Sequence, residues 1–124
     1  RPGRPDKRPR TTRLLRLAFW AAALFALVMA ALPCPPELHV WDKWQHIAAF
    51  FVLTVLGRAA YPRLGWSKLM LALVAFGGFI ELVQMLPEIH RDSQLSDWLA
   101  DIVAVVAALA VIGLLERIRG ARAD

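Results

Sequence analysis

Residues 69–86 read LMLALVAFGGFIELVQML, and this stretch decides the class of protein to which the chain belongs. Its only charged residue is Glu81, which follows a long uncharged run. A transmembrane helix needs about 20 consecutive, mainly apolar residues. We therefore predict a membrane-spanning helix here, with a carboxylate near one of its ends.

Three further apolar stretches of similar length lie along the chain, at residues 14–32, 44–61 and 98–115. Each is expected to be helical, because a backbone in lipid must satisfy its own hydrogen bonds. All eight prolines fall in the N-terminal tail or after a span, where helices stop. The sequence therefore predicts an all-α integral membrane bundle of four transmembrane helices.

The composition of the whole chain agrees with this class. Hydrophobic residues make up 58% of the 124 residues and charged residues 20%, and the mean hydropathy is +0.48. A soluble chain this short buries too little surface to hide so many apolar side chains. The hydrophobicity excludes disorder for the bulk of the chain, and the single cysteine, Cys34, excludes a disulfide-stapled secreted module.

The basic residues predict an orientation. All but two of the 15 Lys and Arg residues lie at one end of the predicted bundle. Basic segments are retained in the cytoplasm, so both termini are predicted to be cytoplasmic. The net charge of +5 therefore reflects topology, and we expect no nucleic-acid partner. The two exceptions, at the predicted outer end, are Lys43 and Arg91.

The chain accordingly divides into three parts. Residues 1–13 are predicted to be a disordered basic cytoplasmic tail, residues 14–115 a four-helix membrane domain, and residues 116–124 a basic cytoplasmic C-terminus. Since the sequence starts without Met, we expect a truncated or processed N-terminus. A cleaved signal peptide is the alternative for the first span, but its apolar run is longer than a typical signal core.

Ionisable residues at the predicted outer end lie in or beside apolar helices, where they are costly and indicate function. Together with the amide of Gln84, they form three pairs at helical spacing: Asp42 and His46, Glu81 and Gln84, and Asp97 and Asp101. Small residues continue each face and allow close helix approach. We therefore predict one polar binding cluster, formed by Asp42, Lys43, His46, Glu81, Gln84, Arg91, Asp97 and Asp101.

Several of these residues also have a purely structural explanation. Asp42 with Gln45 fits a capping box, and Asp97 fits an acidic first turn stabilised by the helix dipole. His46 alone fits a packed polar residue. Glu81 is harder to explain in this way, because the dipole near a helix C-terminus opposes a carboxylate, which then needs a cationic partner.

Three motifs in these segments resemble the VanZ-like family. Residues 42–50 resemble the signature D-K-x-x-H-x-x-x-F/Y, and residues 80–84 resemble I-E-x-x-Q. The residues Arg91, Asp97 and Asp101 resemble R-x-x-x-x-x-D-x-x-x-N/D, although many members have Asn at the last position. The resemblance covers residues 41–115. It implies a small multi-pass protein of the bacterial inner membrane, in a family named after a member linked to teicoplanin resistance.

Three functions remain open at this stage. The first is binding, in which an outward-facing polar cleft contacts a lipid headgroup, a lipid-linked cell-wall precursor or an envelope protein. The second is structural, in which the cluster only holds helices together. The third is an intramembrane acid–base or metal-dependent enzyme, but neither H-E-x-x-H nor G-x-S-x-G is present. Membrane lipids are expected partners, and no cofactor is expected.

Overall fold

The computed structural model describes residues 8–32, 39–87 and 95–123, and every regular element in these residues is an α-helix. The four helices are α1 (Arg8–Ala31), α2 (His39–Ala60), α3 (Trp66–Gln84) and α4 (Leu95–Ala123). Each predicted span falls on one of these helices. The first three spans extend one or two residues beyond the C-terminal end of their helix, and the fourth lies entirely inside α4. The all-helical class is therefore confirmed.

Three of these helices, α1, α3 and α4, are long and apolar enough to cross a membrane. Their apolar segments are Pro9–Ala31, Trp66–Gln84 and Leu95–Arg122. The remaining helix, α2, begins with a polar segment that contains Asp42, Lys43 and His46, so its apolar part is shorter. The chain is thus helical and rich in potential membrane spans.

Side-chain contacts define the direction of each helix. Near the C-terminal ends of α1 and α3, the side chain of Gln84 contacts the carbonyl of Ala30, so these helices run parallel. Arg58 Nε, near the C-terminal end of α2, lies 3.6 Å from Glu116 Oε1 in the C-terminal part of α4. These two helices therefore also run parallel to each other. The short turn at residues 61–65 reverses the chain between α2 and α3. The bundle therefore alternates in direction, with α2 in contact with the other three helices.

The two ends of the bundle differ in their side chains. One end, called the polar end below, holds the N-terminal turns of α2 and α4 and the C-terminal turns of α1 and α3. The opposite, basic end holds the arginines of the first turns of α1 and of the last turns of α4. Between them lies an apolar core that includes Phe50, Leu53, Leu73, Ile80 and Val105.

Many large apolar side chains point away from this core. On α1 alone, Leu14, Leu17, Trp20, Leu24 and Phe25 are each more than half exposed. Soluble monomers rarely expose apolar patches of this extent. These surfaces are suited to contact with lipid tails.

Helix α1 begins earlier than the sequence predicted. It starts at Arg8, so residues 8–13, predicted to be disordered, are helical, and residues 1–7 lie outside the described residues. Pro9 is compatible with this start, because a proline in the first helical turn removes an N–H that has no intrahelical partner. Helix α4 similarly continues through residues 116–123 of the predicted C-terminal segment.

The start of α2 is also earlier than predicted. Because α2 begins at His39, Asp42 lies inside the helix and not at its N-cap, so the capping-box interpretation is wrong. In α4, by contrast, Asp97 lies in the first turn, as the dipole argument predicted.

Candidate functional site

Helices α2 and α4 contribute two facing pairs of ionisable groups at the polar end. His46 Nδ1 lies 3.9 Å from Asp101 Oδ1, and Lys43 Nζ lies 3.8 Å from Asp97 Oδ1. Lys43 and His46 lie on one face of α2, and Asp97 and Asp101 lie on one face of α4, because residues three or four apart share a helix face. When these two faces meet, both pairs form. The structure therefore brings together four of the residues that the sequence assigned to the polar cluster.

The two pairs differ sharply in burial. The side chains of Asp101 and His46 are 1% and 11% exposed, whereas those of Asp97 and Lys43 are 21% and 42% exposed. Asp101 lies one helical turn further from the N-terminus of α4 than Asp97, which places it deeper in the bundle. When His46 is protonated, the inner pair is an almost fully buried ion pair.

A glycine on α3 permits close packing against the inner carboxylate. A Cβ atom added to Gly77 would lie 3.3 Å from Asp101 Oδ2 and 3.4 Å from Phe50 Cζ. Glu81 follows Gly77 by one turn on the same face of α3 and is 8% exposed. The α3 face that the sequence assigned to the cluster is thus turned toward α4.

Trp98 on α4 packs against α3 close to the inner pair. Its indole Nε1 donates a hydrogen bond to the carbonyl of Val74, at 3.1 Å, and the ring packs beside Gly77 and Gly78. Because both glycines lack a side chain, α3 leaves room for the ring. Helical spacing could have indicated this position, because Trp98 precedes Asp101 by three residues and so shares its helix face.

Gln84 serves to join two helices. Its Nε2 donates to the carbonyl of Ala30 at 3.2 Å, and both residues are buried. Ala30 O is one of the last four carbonyls of α1, which have no intrahelical partner. Gln84 therefore caps α1 from α3, a role that its assignment to the polar cluster did not predict.

We expect Gln84→Met to lower the free energy of unfolding by about 1–3 kcal/mol, the usual cost of leaving a buried acceptor without its donor. Methionine preserves the length of the side chain but cannot donate to Ala30 O. Denaturant unfolding in micelles measures the change, and Gln45→Met, at an exposed position, is the control. Equal stability of the two variants would contradict the capping role.

An apolar cavity of about 380 Å³ lies between α1 and α2 and reaches the inner pair. His46 and Gln45 supply its polar wall, while the rest is apolar and rich in alanine. Those apolar lining residues are Ala22, Phe25, Ala26, Met29, Ala30, Ala48, Ala49, Phe50, Val52 and Ile80. His46 thus contacts both the cavity and the buried carboxylate.

A second groove, of about 600 Å³, lies between α3 and α4 at the same end. Its walls include Glu81 and Trp98, together with apolar residues such as Leu82, Met85 and Leu95. The polar cluster is therefore flanked by an apolar cavity on one side and an apolar groove on the other.

Two of the predicted site residues are not placed by the structure. Arg91 lies outside the described residues, and Asp42 is described only as part of α2, without its side chain. Within the described ranges, no group of three His, Cys, Asp or Glu residues is arranged to hold a metal ion. The described part of the cluster thus consists of Lys43, His46, Glu81, Asp97 and Asp101, with Gln84 beside it.

Comparison of the chain with family models, with curated proteins and with solved structures gives no match.

Proposed function

We propose that the chain is a VanZ-like, multi-pass protein of the bacterial inner membrane whose four helices all cross the bilayer. Three helices have the length and hydropathy for this, and α2 packs among them. In this arrangement both termini are cytoplasmic, because the basic end carries most of the arginines. The polar end then faces outward.

The proposed function of the polar end is to bind a lipid whose headgroup is rich in hydrogen-bond donors. One observation supports this most directly: His46 lies 3.9 Å from the buried Asp101 and also lines the apolar cavity between α1 and α2. A ligand in that cavity would place its hydrocarbon chain against alanines and its headgroup beside the polar cluster. Binding sites commonly combine an apolar wall with a few convergent polar groups.

The charges of the cluster favour donor groups over a bare phosphate. Its described side chains include the carboxylates of Glu81, Asp97 and Asp101, and an ionised carboxylate offers about four acceptor sites. A carboxylate can therefore keep its protein partner and accept a further donor. Ammonium, amide and hydroxyl groups fit this requirement, and a lipid-linked cell-wall precursor carries the last two. Such a ligand would connect the protein to the glycopeptide resistance that the VanZ-like resemblance implies.

The test compares two lipids that differ in N–H donors. The ammonium group of phosphatidylethanolamine has N–H donors, whereas the quaternary nitrogen of phosphatidylcholine has none. By native mass spectrometry we expect the wild type to retain the first about tenfold better, because a charge-assisted hydrogen bond contributes roughly 1.5–3 kcal/mol. Asp97→Asn, which changes the partly exposed carboxylate of the cluster, should lose this preference, and Glu116→Gln, which changes an exposed acid at the basic end, should keep it.

Two results would overturn the proposal. If Asp97→Asn keeps the preference for phosphatidylethanolamine, the headgroup does not bind at this carboxylate. If the wild type prefers neither phosphatidylethanolamine nor a polyprenyl-linked disaccharide peptide over phosphatidylcholine, the cluster is a structural element that joins helices. Binding of the disaccharide peptide alone would support recognition of amide and hydroxyl groups.

A further inference from the structure

A groove of about 580 Å³ lies at the basic end, far from the polar cluster, between the first turns of α1 and the end of α2. Most of its lining residues follow one face of α1 at helical spacing. They are Pro9, Thr12, Arg13, Arg16, Leu17 and Trp20, joined by Tyr61 beyond α2. No acidic residue is among them, so the groove combines positive charge with aromatic and apolar surface.

Arg16 is held in a defined orientation in this groove. Its Nε donates to the carbonyl of Ala60 at 3.2 Å, and its guanidinium carbon lies 4.7 Å from the centroid of the Tyr61 ring. Ala60 is the last residue of α2, so this hydrogen bond also caps a helix end. With Nε engaged, the two terminal amino groups of Arg16 remain to bind a ligand. A planar guanidinium fixed in this way is well suited to a phosphate.

Tyr61 and Arg13 add further donors. The Tyr61 hydroxyl accepts a hydrogen bond from Trp20 Nε1 at 2.8 Å, so its own proton is available to another acceptor. Arg13 is exposed and lines the groove one turn before Arg16. Leu17 and Trp20 continue the groove toward the exposed apolar face of α1.

We propose that this groove binds an anionic phospholipid, with its phosphate between Arg13, Arg16 and Tyr61 and an acyl chain along Leu17 and Trp20. Charge complementarity selects an anion, and the adjoining apolar surface selects a lipid over a free phosphate ion. Basic pockets between transmembrane helices on the cytoplasmic side are suited to anionic headgroups. This inference does not depend on the ligand of the polar end.

The test measures retention of phosphatidylglycerol by native mass spectrometry of the full chain in micelles. We expect Arg16→Gln and Arg13→Gln each to reduce retention roughly tenfold, the effect of losing one charge-assisted phosphate contact. The matched control is Arg119→Gln, which removes an exposed arginine from α4 at the same end. It should leave retention unchanged.

Arg13→Gln keeps the experiment decisive, because Arg13 is exposed and its replacement leaves the Arg16 contacts to Ala60 and Tyr61 in place. Its melting temperature in detergent micelles without phosphatidylglycerol should equal that of the wild type. An equal loss of retention in Arg13→Gln and Arg119→Gln would overturn the proposal, because it would indicate general attraction to a basic surface. Displacement of the lipid by inorganic phosphate alone would also overturn it.

Discussion

At a pH at which His46 is protonated, His46→Leu is expected to lower the free energy of unfolding by about 3–5 kcal/mol, the usual cost of removing one partner of a buried ion pair. The Asp101 side chain is 1% exposed, so water cannot replace the imidazole that lies 3.9 Å away. The double variant His46→Leu/Asp101→Leu should recover part of the loss, because it also removes the buried carboxylate. The coupling between the two substitutions then measures their interaction.

Denaturant unfolding of the purified protein in micelles measures these differences. The control is Lys43→Ala, which breaks the exposed pair with Asp97 and should cost at most about 1 kcal/mol. If His46→Leu were no more harmful than Lys43→Ala, the inner pair would not stabilise the bundle. If the double variant lost more unfolding free energy than the two single variants lose together, the charge argument would be contradicted.

Gly57→Leu is expected to lower the free energy of unfolding by about 1–3 kcal/mol, through overpacking of three helices. A Cβ atom at Gly57 on α2 would lie 2.9 Å from Leu69 Cδ1 on α3 and 3.1 Å from Phe19 Cε2 on α1. Leu69 is 3% exposed, so its side chain has little room to move aside. Leu69 and Phe19 must shift to accept even a small side chain at this position.

The matched control is Gly120→Leu near the end of α4, where an added Cβ atom meets nothing within 4 Å. This substitution should be neutral or stabilising, because glycine inside a helix costs roughly 0.5–1 kcal/mol relative to alanine. Thermal unfolding of both variants in the same micelles gives the comparison. Equal melting temperatures would show that Gly57 is not needed for close packing.

The two proposed sites assign different chemistry to the two ends of the bundle. The polar end offers acceptors from carboxylates beside an apolar cavity, and the basic end offers guanidinium donors beside an apolar face. A lipid with a donor-rich headgroup suits the first, and an anionic phospholipid suits the second. Asp97→Asn and Arg13→Gln should therefore act independently, because they change lipid retention at opposite ends.

Local sequence was sufficient to predict the four helices, because apolar runs between prolines specify helix in lipid without reference to any other segment. It predicted the helix ends less well. The basic segment at residues 8–13 was assigned to a tail, whereas arginine is a good helix former and α1 begins at Arg8. The start of α2 at His39, before Asp42, was missed because the polar first turns concealed the helix.

The sequence alone determined which polar residues share a helix face, since residues three or four apart must do so on any α-helix. Only the tertiary structure decided their partners: His46 faces Asp101, Gln84 turns to Ala30, and Arg16 reaches Ala60. These partners lie more than 40 residues apart along the chain, and their meeting depends on the depth and rotation at which neighbouring helices pack. Glycine and alanine set that packing through close contacts between helices, which helical periodicity does not specify.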